Sequence, residues 1–89
     1  MEEPFKRKSL SQFKKAVGML NKVIKMVEEG SYCMDTLQQS LAVNGIIKSA
    51  NKTILEHHLN SCFKKGMQTK STKAQQQLID EVLRVVNKN

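Results

Sequence analysis

The most informative absences in this 89-residue sequence concern tryptophan, turn-forming residues and long apolar runs. Tryptophan is absent, aromatic residues make up 4%, and the chain has one proline and four glycines. The low proline and glycine content excludes collagen-like and proline-rich disordered chains. No apolar run approaches the ~20 residues of a membrane-spanning helix, and residues 1–8 lack the apolar centre of a signal peptide. We therefore expect a cytoplasmic protein with no membrane partner.

Small size and few aromatic residues together limit the core that one chain can form. At roughly 150 residues per domain the chain is a single small domain, and a chain of this length buries only ~60–65% of its unfolded surface. We expect residues 1–8 to form a flexible basic N-terminal arm and residues 9–89 to form one helical domain. Association between copies of the chain is expected to supply the missing burial.

Positive charge dominates the sequence, because 15 Lys and Arg face 8 Asp and Glu and the net charge at pH 7 is +7. Such a charge fits a polyanionic partner, most often nucleic acid. Residues 5–15 hold several basic side chains and no acidic one. The residues expected to contact DNA phosphates are Lys14, Lys15, Lys48 and Lys52. The alternative from the residues alone is an ordinary solvated helix face.

Hydrophobic spacing predicts three helices and no strand, so the predicted fold class is all-α. The first helix is expected from Ser9 to Glu29, with Gly30 as its C-cap. Its apolar residues recur at steps of three and four: Leu10, Phe13, Val17, Leu20, Ile24 and Val27. A heptad-like stripe of this kind is typical of a helix that packs against another helix.

The second and third predicted helices are bounded by capping residues and glycines. Ser31 is the expected N-cap of the second helix, which is predicted to continue to Gly66. The third helix is expected to begin at Ser71 or Thr72, where residues 72–75 match a capping box. Its predicted buried stripe is Leu78, Ile79, Val82, Leu83 and Val86.

Two cysteines and a histidine are the residues with the most specific chemistry. On an α-helix His58 and Cys62 differ by ~40° and share a face, whereas His57 points ~140° away from Cys62. Cys33 lies far upstream, and a continuous helix would separate the two thiols of one chain by ~44 Å. Cys33 would then meet His58 and Cys62 only from a second copy, in an antiparallel dimer.

Two thiolates and one imidazole form a three-ligand site, and thiolates select soft ions such as Cu(I). A structural zinc site normally takes four ligands, and the sequence offers no evident fourth. The alternative is that both cysteines are small buried apolar residues and that His58 is a solvated helix residue. No phosphate-binding glycine loop or nucleophilic triad is recognisable, so we do not expect an enzyme.

In combination these residues resemble the copper-sensing transcriptional repressor family (the CsoR/FrmR/RcnR group). The resemblance rests on residues 26–33, residues 41–43 and the spacing of Cys33, His58 and Cys62, and it covers the chain from about residue 13 onward. It implies a three-helix subunit in an antiparallel homodimer that pairs into a homotetramer. It also implies an apo form that binds operator DNA and is released when Cu(I) binds Cys33, His58 and Cys62.

The resemblance also implies roles for two further residues and favours one branch of the family. Tyr32 and Glu81 match positions that the family uses near the metal. The nickel and cobalt branch has histidine in place of Cys62, and the formaldehyde branch has proline where this chain has Glu2. The persulfide-sensing branch usually lacks the histidine that matches His58, so the copper branch fits best.

Two other functions remain open from the sequence. The first is a repressor of the same family whose Cys33 and Cys62 are oxidised or persulfidated into a link between copies. The second is a copper-binding buffer protein that does not repress. Met19 and Ser49 motivate the buffer hypothesis, because the family usually has glutamine at the first position and often arginine at the second.

Overall fold

The computed structural model describes residues 1–88, and all of its regular structure is helical. The elements are α1 (Phe5–Glu28), α2 (Cys33–His58), α3 (Lys64–Met67) and α4 (Thr72–Val86). A π-helical turn, Leu59–Phe63, joins α2 to α3, so helical backbone continues from α2 to the end of α3. The prediction of an all-α chain with three helical segments is confirmed, and residues 1–88 contain no strand.

The first helix begins earlier than its apolar stripe indicates. It begins at Phe5 rather than at Ser9, so half of the segment predicted as an arm is helical. Pro4 precedes it without a side-chain cap, and the fixed φ of proline suits the start of a helix. The Glu3 carboxylate also accepts a hydrogen bond from the Arg7 N–H at 3.3 Å. Hydrophobic periodicity does not reflect these local contacts, which is why the predicted start of the first helix was wrong.

Gly30 ends α1, as predicted. Its φ of 71° lies in the left-handed region, which glycine adopts without a clash of a Cβ atom. The N–H of Ser31 donates to the carbonyl of Met26 at 2.9 Å, and the N–H of Gly30 donates to that of Val27 at 3.2 Å. This pair of bonds is a Schellman motif, which satisfies the last carbonyls of the helix.

The second helix begins at Cys33, and the prediction of Ser31 as its N-cap was wrong. The carbonyl of Tyr32 accepts the first helical bond, from the N–H of Thr36 at 3.1 Å. Ser31 is instead part of the motif that closes α1. Asp35 lies in the first turn of α2, where a negative charge interacts favourably with the helix dipole.

Residues 1–55 form one compact unit, in which α1 packs against α2. Its buried apolar centre is small and consists of Ala16, Val23 and Val43, with Met19 and Ile46 packed against it. The buried Thr53 hydroxyl donates to the Gln12 side-chain oxygen at 3.0 Å, which satisfies both groups between the helices. The predicted apolar stripe of α1 faces away from this centre, and all but one of its members are exposed: Leu10, Val17, Leu20, Ile24 and Val27.

Residues 56–89 form a second compact unit, described to residue 88, which contains the π-turn, α3 and α4. A Cβ atom on Gly66 would overlap the side chain of Leu78, so glycine permits the close approach of α3 and α4. The predicted buried stripe of α4 is not buried within this unit. Leu83 is 50% exposed, and no residue of α4 is buried.

The turn between α3 and α4 is held by side-chain hydrogen bonds. The Ser71 hydroxyl accepts from the N–H of Ala74 at 3.2 Å and is the N-cap of α4. The Gln75 amide donates to the carbonyls of Met67 and Thr69 at 3.0 and 2.9 Å. The predicted capping box was therefore wrong by one residue at its cap, and Gln75 serves the end of α3 instead. Among residues 1–88, no helix combines the length and hydropathy needed to cross a membrane.

Candidate metal centre and nucleic-acid interface

His58 and Cys62 lie on the same helical stretch of the second unit. His58 is the last residue of α2, and Cys62 lies within the π-turn that follows. The His58 side chain is half-buried, and Cys62 is exposed with a free thiol. Four residues span about one helical turn, so both side chains project from one region of the helix surface. An imidazole and a thiol thus lie four residues apart on continuous helical backbone.

The backbone at this pair differs from the α-helix that the sequence predicts. In a π-turn each N–H bonds to the carbonyl five residues back, so each turn takes in more residues than an α-helical turn. The ~40° between residues four apart applies to an α-helix, and the π-turn changes the direction of the Cys62 thiol relative to His58. Single π-turns are frequent at functional sites.

Two side chains of the π-turn bond to the preceding backbone. The Asn60 amide donates to the carbonyl of Glu56 at 2.8 Å. The Ser61 hydroxyl donates to the carbonyl of His57 at 2.6 Å. Each bond joins residues four apart. Together they supply donors to carbonyls at the point where the backbone changes from α-helical to π-helical hydrogen bonding. Sequence reasoning missed this turn, and the only available signal was the adjacent pair of short polar residues in an otherwise helical stretch.

Two further contacts surround the candidate ligands. The Ser61 hydroxyl lies 3.8 Å from the Cys62 sulfur, within hydrogen-bonding distance for sulfur. The Phe63 ring centroid lies 6.3 Å from that of His58, with the planes inclined at 55°. A tilted aromatic contact of this geometry is favourable and restricts the orientation of the imidazole.

Cys33 is the first residue of α2 and lies just beyond the turn that ends α1. Its thiol is free and exposed. His58 is the last residue of the same helix, and Cys62 lies in the π-turn that follows it. Within residues 1–88, no three His, Cys, Asp or Glu side chains are grouped so as to hold a metal ion. One chain therefore presents two separate parts of the predicted three-ligand set.

Within residues 1–88, neither Tyr32 nor Glu81 forms a hydrogen bond with the side chain of a candidate ligand. Tyr32 precedes Cys33 and is 67% exposed, and its carbonyl rather than its hydroxyl makes the described bonds. Glu81 lies on α4 and is exposed. Within residues 1–88 the structure contains no hydrogen bond between Glu81 and His58. The roles near the metal that the resemblance implies for these residues remain predictions.

The lysines expected to contact DNA are exposed, but one chain does not gather them into a single patch. The four residues are Lys14, Lys15, Lys48 and Lys52. Lys48 and Lys52 are one helical turn apart and share a face of α2. At ~100° per residue, Lys52 points ~160° away from the buried Ala50, and Lys14 points ~160° away from the buried Ala16. They therefore lie on the outer faces of two different helices.

The donor set fits Cu(I) by its chemistry. Thiolates are soft ligands that favour Cu(I), and neutral imidazole is compatible with copper. All three side chains are at least partly accessible, which allows an ion to reach them. By their chemistry the three side chains suit a soft metal, and the two thiols are also open to oxidation.

Comparison with known sequences points in the same direction. The sequence profile of the family described as metal-sensitive transcriptional repressor matches residues 6–88. The copper-sensing transcriptional repressor CsoR of Mycobacterium ulcerans (strain Agy99) is 40% identical over 58 residues, which is 65% of this chain and 50% of that protein. The copper-sensing transcriptional repressor RicR of Mycobacterium tuberculosis (strain ATCC 25618 / H37Rv) is 29% identical over 56 residues, 63% of this chain and 58% of that protein. The chain thus spans about half the length of these relatives.

A solved structure shares the fold over nearly the whole chain. It is the crystal structure of the copper-sensing repressor CsoR with Cu(I) from Geobacillus thermodenitrificans NG80-2. The match has a TM-score of 0.84 at 25% sequence identity and covers 99% of this chain and 88% of that chain. The helical arrangement described above is therefore one that a copper-sensing repressor also adopts.

Proposed function

Because the chain belongs to the metal-sensitive transcriptional repressor family, we propose that it is a Cu(I)-responsive repressor that binds operator DNA and leaves it when Cu(I) binds. Cys33 of one copy and His58 and Cys62 of a second copy would hold the ion. The observation that carries this proposal is the accessible imidazole and thiol of His58 and Cys62 within one helical turn. The copper-sensing relatives support copper as the metal. A repressor acts at its operator, so its expected location is the cytoplasm.

Exposed apolar surface supports an antiparallel homodimer and its pairing into a homotetramer. The exposed apolar side chains of α1 and of the first turns of α2 are Leu10, Val17, Leu20, Ile24, Val27, Met34, Leu37 and Leu41. Large contiguous apolar patches on soluble proteins mark association sites, and each such side chain contributes ~1.5–3 kcal/mol when fully buried. Antiparallel pairing of two α2 helices would bring Cys33 of one copy toward Cys62 of the other.

Symmetric assembly also suits the proposed DNA contact. Lys14 and Lys52 lie on different outer faces of one chain, so a continuous basic surface requires lysines from more than one copy. Within residues 1–88, neither lysine forms an ion pair. Their charges are therefore available to phosphates, and binding through such contacts weakens as salt concentration rises.

Metal ligation can release DNA only through a difference between two shapes of the assembly. Ligation by Cys33 of one copy and by His58 and Cys62 of another fixes the separation of those helices. If the fixed shape matches DNA less well, metal binding and DNA binding oppose each other with one coupling free energy. The π-turn is where this coupling would begin, because a metal ion bound by Cys62 would act directly on an irregular part of the helix.

The proposal is tested with His58→Ala, using His57→Ala as the matched control. The reduced protein is titrated without oxygen against a labelled duplex from the region upstream of its own coding sequence, with and without Cu(I). We expect Cu(I) to weaken DNA binding of the wild type about tenfold or more. His58→Ala should retain some Cu(I) through its thiolates but lose most of the release.

The outcomes of this titration separate the candidate functions. Full metal-driven release by His58→Ala would contradict the role of His58 in coupling. Tight Cu(I) binding without any binding to the duplex would favour the buffer protein. His57→Ala should behave as the wild type, because its side chain is not among the proposed ligands.

Two exposed free thiols favour a second candidate, a thiol-sensing repressor. Attack of the Cys62 thiolate on a polysulfide would form a persulfide and release a shorter polysulfide. The Cys33 thiolate of another copy would then attack that persulfide, forming a disulfide and releasing hydrosulfide. A covalent dimer on a non-reducing gel after polysulfide treatment would support this function, and monomer alone would exclude it.

A further inference from the structure

A group of lysines surrounds the turn between α3 and α4 and is not used by the proposed copper site. Its members are Lys64, Lys65, Lys70 and Lys73, which we call the basic turn. All four side chains are exposed. No acidic residue occurs between Glu56 and Asp80, and within residues 1–88 no salt bridge involves any of the four lysines. The basic turn is therefore a concentration of uncompensated positive charge.

The backbone beneath the basic turn is fixed by side-chain contacts. The Gln75 amide donates to two carbonyls of the turn, those of Met67 and Thr69, at 3.0 and 2.9 Å. Gly66 of α3 also lies close to the Leu78 side chain of α4, so the two helices are packed together. The lysines thus project from an ordered end of a helical hairpin, and little backbone ordering is needed when an anion binds.

The start of α4 adds further donors at the same place. Lys73 lies in its first turn, where backbone N–H groups have no partner within the helix. The Ser71 hydroxyl accepts from the N–H of Ala74, while the N–H groups of Thr72 and Lys73 belong to the set that helix starts present to anions. Lysine charge and helix donors together suit a phosphate group.

We propose that the basic turn is a second DNA-contact surface, which binds the phosphates of the duplex in addition to Lys14, Lys15, Lys48 and Lys52. This inference rests on the proposed repressor function. Lysine acts on phosphate as a point charge and lacks the bidentate geometry that reads bases, so the contact is independent of sequence. Phe63, the one aromatic residue of the unit, is half-buried against His58, so it offers no exposed platform for stacking single-stranded bases.

The test compares two double variants that remove the same charge from the same unit. Lys70→Gln/Lys73→Gln removes half of the basic turn, and Arg84→Gln/Lys88→Gln removes two exposed charges from the far end of α4. Affinity for the labelled upstream duplex is measured by fluorescence anisotropy over a fourfold range of salt concentration. The slope of log affinity against log salt reports the number of phosphate contacts, at ~0.9 for each.

We expect the slope of Lys70→Gln/Lys73→Gln to be smaller than that of the wild type by roughly two units per DNA-bound subunit. Its affinity should then depend on salt about tenfold less, for each DNA-bound subunit, over the fourfold range, while the Arg84→Gln/Lys88→Gln variant keeps nearly the wild-type slope. Equal slopes for the two double variants would overturn the inference and leave the repressor function intact. Failure of the wild type to bind the duplex would overturn both. Cu(I) titration of each variant checks that the metal site, and hence the fold, is retained.

Discussion

The Ser61 hydroxyl lies between the backbone and the thiol of the candidate metal centre. The spacing of His58 and Cys62 is visible in the sequence, because residues four apart share a helix face. The contribution of Ser61 is not visible there. Its bond to the His57 carbonyl and its approach to the Cys62 sulfur depend on the π-turn, which hydrophobic periodicity does not predict.

Replacing Ser61 with alanine tests this contact. Removal of the hydroxyl leaves the His57 carbonyl without its side-chain donor and removes the polar group that lies 3.8 Å from the Cys62 sulfur. Partners of metal ligands typically contribute 10–100-fold to metal affinity, so we expect Ser61→Ala to weaken Cu(I) binding about tenfold. The measurement is competition with a Cu(I) chelator under anaerobic conditions.

Ser61→Thr is the control for this substitution, because it keeps the hydroxyl. We expect near-wild-type affinity from Ser61→Thr. Equal affinity of all three proteins would show that the hydroxyl does not act on the site, and equal losses in both variants would indicate a packing effect.

At the scale of the helices, the apolar pattern predicts which segments are helical but not how their ends are made. Three helical segments and the Gly30 cap follow from spacing and residue type. The start of α1 at Phe5 does not follow from them, because it depends on hydrogen bonds from nearby polar groups. The start of α4 was predicted to within one residue, as Ser71 or Thr72, but spacing did not decide that Ser71 is its cap. Likewise, the sequence does not show that Gln75 would bond to the end of α3 rather than complete a capping box.

Gly66→Ala is expected to destabilise the pairing of α3 with α4. The added Cβ would overlap a terminal methyl of the Leu78 side chain, which must move aside. We therefore expect a loss at the low end of the ~1–3 kcal/mol typical of overpacking. Leu78→Ala in the same chain removes the obstacle, so the double variant should be more stable than the sum of the two single effects predicts. Urea unfolding at one fixed protein concentration measures the free energies. Additive effects would contradict the contact.

At the scale of the whole molecule, three features of one chain remain incomplete. Most of the apolar stripe of α1 is exposed, and the lysines occupy different outer faces. The three predicted ligands do not form one group within the described residues. In the proposed antiparallel assembly, association with further copies would remove each of these deficits. Sequence periodicity indicated the need for a partner, but the choice of packing face in α1 follows from Ala16 and Val23, small residues that allow close approach of α2.

The central claim is that the metal site is shared between copies, and mixing two inactive variants tests it directly. Cys33→Ala removes the ligand that one copy supplies. Cys62→Ala removes one of the two ligands that the other copy supplies. Each alone should bind Cu(I) weakly. After unfolding, mixing in equal amounts and refolding together, half of the dimers would contain both variants, and each of these would have one complete site.

Anaerobic Cu(I) titration against a chelator measures the tight sites in the mixture. Random pairing predicts recovery of roughly one quarter of the wild-type number of tight sites. Cu(I) binding by the mixture no better than by either variant alone would contradict a site shared between copies.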